Sequence, residues 1–111
     1  MPDRIVKINE FLKEQVAQII REEIDFEPGT IVSVISASAS PDLRYAKIFV
    51  SILPDERVGT TLKRLNNNTK TIQKNLGKNI SFKFTPKLSF ALDETEKKAS
   101  EIDELLDSLK Y

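Results

Sequence analysis

Residues 65–80 read LNNNTKTIQKNLGKNI, and whether this stretch is a helix, a loop or a helix that breaks decides how the chain folds. Asparagine is a mediocre helix former because its amide competes for nearby backbone hydrogen bonds, so Asn66, Asn67 and Asn68 argue against a helix. The apolar spacing argues for one. Taking about 100° per residue with Lys63 at zero, Leu62, Leu65, Thr69, Ile72 and Leu76 fall between roughly 180° and 260°. That apolar stripe runs straight through the asparagines. On the same wheel Lys63, Asn67, Lys70 and Lys74 lie within roughly 60° of one another, nearly opposite the stripe. The pattern predicts a helix that begins near Gly59, breaks at the asparagines without losing its buried side, and presents a cationic face with an amide at its middle. Leu76-Gly77 reads as the helix end, with glycine at a left-handed position and Lys78 just beyond.

Working outward, apolar residues recur at Ile5, Ile8, Leu12, Val16, Ile19 and Ile20, a first amphipathic helix that Pro28-Gly29 must end. Residues 30–39 and 44–53 are rich in Val, Ile, Tyr and Phe. The SPDL of residues 40–43 between them is a turn signal, so the two should pair as a hairpin. In the second strand Ala46, Ile48, Val50 and Ile52 alternate with Tyr45, Lys47, Phe49 and Ser51, which makes the first set the core face. A third strand begins at Ile80 with Phe82 and Phe84, and the same parity resumes past Pro86 at Leu88, Phe90 and Leu92. Asp93 followed by Glu96 resembles a capping pair. It opens an acidic last helix over residues 93–111, with Ile102, Leu105, Leu106 and Leu109 on one side. The fold class predicted is α+β, a three-stranded sheet with helices packed on one face and the other face at least partly open. Such surfaces suit an extended polymer better than an enclosed small substrate.

With 111 residues, 40% of them hydrophobic, the chain is expected to form one small domain over residues 1–111. It has no cysteine and no histidine. That removes disulfides, thiol nucleophiles, thiolate zinc sites and the commonest acid–base side chain, and no cofactor or metal is expected. No apolar run reaches the roughly 20 residues of a membrane span, and the N-terminus lacks the layout of a secretion signal, so a cytoplasmic setting without membrane contact is expected. The net charge of zero conceals a gradient along the chain. Residues 1–56 carry 6 basic and 10 acidic side chains, residues 57–92 carry 8 basic and none acidic, and residues 93–111 carry 3 basic and 7 acidic. A cationic middle block is the local patch to which a polyanion would respond.

Three segments carry a family resemblance. SPDLRYAKIFVSIL at residues 40–53 resembles the signature hairpin of the ribosome-binding factor A family, with its Asp-Leu pair, its Ala-Lys and its apolar Val-Ser end. The LNNNTKTIQKNLGKNI stretch is similar to that family's helix pair, and FTPKLSFALDET at residues 84–95 to its Pro-x-Leu-x-Phe-x-x-Asp segment. Together the resemblance spans residues 5–109. It implies a type II KH-like domain of order α-β-β-α-α-β followed by a C-terminal helix. It also implies a non-enzymatic, monomeric factor that binds the free small (30S) ribosomal subunit and its ribosomal RNA, alongside other assembly factors. Its task would be late maturation and 5′-end processing of 16S rRNA, with a role in cold adaptation. One departure stands out: family members usually place an Ala-x-Gly kink between the two helices, and those positions here fall on Asn68, Thr69 and Lys70. Asparagine tolerates non-helical backbone better than most residues, so a break can survive without the glycine.

On this reading Lys63, Arg64, Lys70, Lys74 and Lys78 contact phosphates, supplying affinity and salt dependence with little sequence information. Asn66, Asn67 and Asn68 hydrogen-bond to base edges, 2′-hydroxyls or phosphates. Arg44, Tyr45, Lys47 and Phe49 form a secondary, stacking-type candidate surface. The plainer alternatives are solubilising lysines, asparagines that only break a helix, and aromatics packed under the terminal helix. Two other function classes fit the pattern: a general KH-like binder of single-stranded RNA or DNA, and a protein-interaction adaptor using the open sheet face or the acidic last helix. Asp42, Asp55 and Asp93 have no spacing that defends a hydrolytic site; they read as turn and cap residues.

Overall fold

A computed structural model describes residues 2–80 and 85–95. The elements are α1 (Pro2–Glu23), β1 (Ile31–Ala39), β2 (Tyr45–Leu53), a 3-10 turn at Asp55–Arg57, α2 (Val58–Asn67), α3 (Thr69–Gly77) and β3 (Lys87–Leu92). Among the described residues no helix is long and apolar enough to cross a membrane.

The α1 stripe works as its spacing predicts, with Leu12, Val16, Ile19 and Ile20 buried. The helix stops at Glu23, before Pro28 is reached. Pro28 and Gly29 instead form the corner that leads into β1: the Thr30 N–H donates to the Glu27 carbonyl at 3.0 Å, and Gly29 has a φ of 86°. Proline first and a positive-φ residue second is the pattern of a type II turn, and glycine adopts that conformation without steric cost.

The sheet has the order β1-β2-β3. β1 and β2 are an antiparallel hairpin, whereas β3 lies parallel to β2. A parallel pair needs a long crossover connection, and the α2–α3 pair supplies it. Ala46, Ile48, Val50 and Ile52 of β2 are all buried against the helices, with Leu88 and Phe90 of β3 and Leu65, Ile72 and Leu76 of the helix pair. Each large aliphatic side chain buried in this way contributes about 1.5–3 kcal/mol. β1 carries a bulge between Val34 and Ser36. The extra residue, Ile35, is exposed, and the inward set changes from Val32 and Val34 before it to Ala37 and Ala39 after it. A bulge shifts strand parity in this way.

The hairpin turn follows the SPDL signal. The Leu43 N–H donates to the Ser40 carbonyl at 2.9 Å and the Ser40 N–H to the Tyr45 carbonyl at 2.8 Å. The Asp42 carboxylate accepts from the Ser40 hydroxyl at 2.7 Å and from the Arg44 N–H at 3.1 Å. These contacts hold the Asp42 carboxyl below its ordinary value of 3.8, the Ser40 hydroxyl first and the Arg44 N–H second.

β3 is the outer parallel strand, and part of its free edge is occupied by side chains of the helix pair. The amides of Lys87 and Asp93 face β2, donating to the Arg44 and Val50 carbonyls, so the even-numbered amides point outward. There Asn66 accepts from the Phe90 N–H at 2.9 Å and donates to the Phe90 carbonyl at 3.2 Å. Gln73 accepts from the Leu88 N–H at 3.0 Å. The opposite outer strand is tied similarly, Asn9 of α1 accepting from the Ala39 N–H at 2.9 Å. Occupied edge groups are closed to strands of another chain.

Two expectations need correction. Gly77 is the last residue of α3 and is not left-handed, since Gly29 is the glycine with positive φ. Glycine at position 77 allows close approach, because a Cβ there would lie 2.8 Å from the Thr85 hydroxyl oxygen. Ile80 is not in a strand either; the described strand β3 begins at Lys87, directly after the buried Pro86, which has no N–H to give a ladder. Its expected first half, residues 81–84, lies outside the described residues. Asp93 accepts from the Thr95 N–H at 3.1 Å and hydroxyl at 2.6 Å; Glu96, the other half of the expected capping pair, and the rest of the helix expected over 93–111 lie outside the described residues.

These contacts set three measurable outcomes. Asn66→Ala leaves a part-buried N–H and C=O of Phe90 unpaired, and chemical denaturation should show a destabilisation of about 1–3 kcal/mol. Gly59 sits in the first turn of α2 with nothing within 4 Å of where a Cβ would be, so Gly59→Ala should raise stability by up to about 0.5–1 kcal/mol. Because the folded-state pKa of Asp42 is lowered, the turn's contribution is full above the unfolded value near 3.8 and is lost as pH falls through the lower folded value. In a carboxyl-carbon NMR titration Asp42 should titrate below that value, and Ser40→Ala should move it back up.

Candidate nucleic-acid interface

The helix pair places the cationic block. α2 ends at Asn67, Asn68 adopts φ −109° and ψ 14°, and α3 starts at Thr69. The break is one residue long: the Asn68 N–H bonds the Leu65 carbonyl at 3.1 Å, and the Asn68 carbonyl already accepts from the Ile72 N–H at 3.1 Å. The Asn68 side chain donates to the Arg64 carbonyl at 2.7 Å, satisfying an oxygen that the ending helix would orphan. Because so little is interrupted, Leu65, Ile72 and Leu76 stay buried on both sides of it.

The opposite side of the pair is exposed and cationic. Thr60, Lys63, Arg64, Asn67 and Asn68 line a shallow groove of about 320 Å³. It thus gathers four of the residues that the sequence singles out and adds Thr60, which lies one turn before Lys63. Thr60 falls at roughly 60° on the same wheel, so the signal was present in the spacing. Lys70, Lys74 and Lys78 are exposed on α3 and at its end, outside the groove lining. None of Lys63, Lys70, Lys74 and Lys78 forms an ion pair with another described residue.

The asparagines divide by what their amides do. Asn66 bonds Phe90, and its amide nitrogen also lies 3.3 Å from the Leu62 carbonyl, so this side chain is turned to the sheet. Asn68 bonds Arg64. Asn67 makes no side-chain hydrogen bond among the described residues and faces the groove. The arginines are likewise engaged. Arg64 donates to the Asp25 carbonyl at 2.7 Å. Arg57 donates to the Pro28 carbonyl and, at 2.9 Å, to the Thr30 hydroxyl, with Glu27 3.7 Å from its Nε. These bonds pin the link between α1 and β1 against α2.

The secondary candidates occupy the sheet face away from the helices. Arg44 lies 3.9 Å from Asp42 in the turn. Tyr45 and Lys47 are exposed, and Phe49 is half-buried. Tyr45 and Lys47 line one groove of about 390 Å³, whereas Phe49 lines another of about 380 Å³ with Asp93 and Glu94. The structure therefore separates Phe49 from the other two. Among the described residues no cluster of carboxylates could hold a metal ion.

Comparison with known proteins identifies the family and the fold. The family model for ribosome-binding factor A matches residues 4–106. Ribosome-binding factor A of Clostridium novyi is 36% identical over 109 residues, covering 96% of this chain and 90% of the relative. That of Akkermansia muciniphila is 29% identical, covering 98% and 86%. The crystal structure of ribosome-binding factor A from Thermus thermophilus superposes with a TM-score of 0.71 at 18% identity, covering 79% of this chain and 94% of that one. A homology model of the Thermus thermophilus protein, fitted into a cryo-EM map of a 30S complex, gives a TM-score of 0.66 at 19% identity, covering 77% and 90%. A family match over residues 4–106 and a relative 36% identical over nearly the whole length show that this chain belongs to the ribosome-binding factor A family.

Proposed function

We propose that this chain is a ribosome assembly factor that binds the free small subunit through the exposed side of its helix pair. On this reading it assists late maturation and 5′-end processing of 16S rRNA in the cytoplasm, with its largest effect in the cold. It acts as a single monomeric domain, by binding and without catalysis. The observation that carries the reading is the groove of Thr60, Lys63, Arg64, Asn67 and Asn68, set in a block from Arg57 to Leu92 that contains 8 basic and no acidic residues. The relative fitted into a 30S complex supports the choice of partner.

Lys63, Lys70, Lys74 and Lys78 take phosphates from α2, α3 and the end of α3, providing affinity that falls with salt. Arg64, held to the Asp25 carbonyl, offers its remaining donors at the groove wall. Asn67 is the amide directed to the RNA, and Asn68 shapes the groove by breaking the helix. Lys70 stands where the family resemblance would put the kink glycine, so phosphate is met by an ammonium rather than by close backbone approach.

The test is sedimentation of lysate with detection of this protein. It should comigrate with free small subunits and be absent from translating ribosomes. Lys63→Glu, Lys70→Glu and Lys74→Glu combined should abolish that comigration while the circular dichroism and melting temperature stay near wild type, since all three side chains are exposed. Neutralising the same lysines should flatten the dependence of log K on log salt by about 0.7 for each phosphate no longer neutralised. Unchanged binding of the charge-reversed protein would overturn the assignment.

A further inference from the structure

The sheet face turned away from the helices carries a second constellation that the helix-pair groove does not use. Strand alternation puts Tyr45 and Lys47 on this face. The parallel register then sets Tyr45 beside Lys87 and Lys47 beside Ser89, while the antiparallel register sets Ser38 beside Lys47. Ser38, Ser40, Tyr45, Lys47, Lys87 and Ser89 supply the polar lining of a groove of about 390 Å³ in which no carboxylate takes part. Tyr45 is 59% exposed, beside Lys87 in register and two residues from Lys47 on the same face.

The chemistry of that lining selects its occupant. An exposed ring offers a stacking face, two ammonium groups draw an anion, and the Ser38 and Ser89 hydroxyls can donate to phosphate or hydroxyl oxygens, that of Ser40 being given to Asp42. An acidic peptide would satisfy the lysines but leave the ring unused; a nucleotide uses both. The nearest carboxylate in sequence, Asp42, is held by the Ser40 hydroxyl and the Arg44 N–H, with the Arg44 guanidinium 3.9 Å away. Toward the other end of the same face, Asp93 and Glu94 line a separate groove with Ser36 and Phe49, and their charge repels phosphate. The favourable surface is therefore short, extending from Tyr45 and Lys87 to Lys47 and Ser89.

We propose that this groove is a second contact for single-stranded RNA, with a base stacked on Tyr45 and phosphates drawn to Lys47 and Lys87. Together with the helix-pair groove it lets one small domain hold two RNA segments on opposite sides of its sheet. The inference rests on the RNA-binding reading above and extends it to the opposite face of the sheet.

The test is an NMR titration of the isotope-labelled full chain with a short oligouridylate, using wild type and the Lys63→Glu/Lys70→Glu/Lys74→Glu variant. In that variant the amides of Tyr45, Lys47, Lys87 and Ser89 should still shift on adding RNA. Tyr45→Ala in the same background should weaken this residual binding about tenfold, within the range for removal of one base–aromatic stack, and Tyr45→Phe should retain it. Lys47→Glu/Lys87→Glu should abolish it. Absence of shifts at these amides, or identical shifts with polyglutamate, would overturn the second contact. The functional reading fails separately, if the wild-type protein does not comigrate with free small subunits.

Discussion

A parallel outer strand exposes a row of N–H and C=O groups, and in this protein the helix pair that precedes the strand occupies the middle of that row. Asn66 takes both backbone groups of Phe90 and Gln73 takes the Leu88 N–H. Since α2 and α3 are also the crossover from β2 to β3, these bonds clamp the connection onto the strand it delivers. The rotation of the helix pair about its own axis is fixed by the same bonds, together with the burial of Leu65, Ile72 and Leu76. The direction in which Lys63, Asn67, Lys70 and Lys74 face follows from it.

The three asparagines are accordingly three different devices. Asn66 is drawn to the sheet, Asn68 ends one helix and starts the next, and Asn67 is directed outward with its amide uncommitted among the described residues. Successive residues on a helix point about 100° apart, so neighbours of one type are carried to different surroundings. A break at Asn68 with φ −109° needs no glycine.

Charge is organised by tethering as well as by sequence. Arg57 and Arg64 fall in the cationic block, yet both anchor backbone carbonyls of the segment between α1 and β1. The lysines of the helix pair, unpaired with other described residues, carry the charge that a polyanion meets. On the far side of the sheet Lys47 and Lys87, distant in sequence, are brought to one groove by strand register alone.

The periodicities of the chain determined the elements and their order: the α1 stripe, the hairpin around SPDL, the core face of β2, and an apolar stripe running through the asparagines. They also determined that the opposite side of the helix pair is cationic, because side chains project at fixed angles from a helix. Local pattern has no access to what lies across a gap in sequence. That Asn66 bonds Phe90, that Gly77 is small because Thr85 is near, that β3 runs parallel to β2, and that Ile35 bulges out of β1 were decided only by tertiary structure. The physical reason is common to all four. A side-chain amide, a glycine or a strand edge has several equally good local uses, and which one it adopts depends on the partner that the packed core brings within reach.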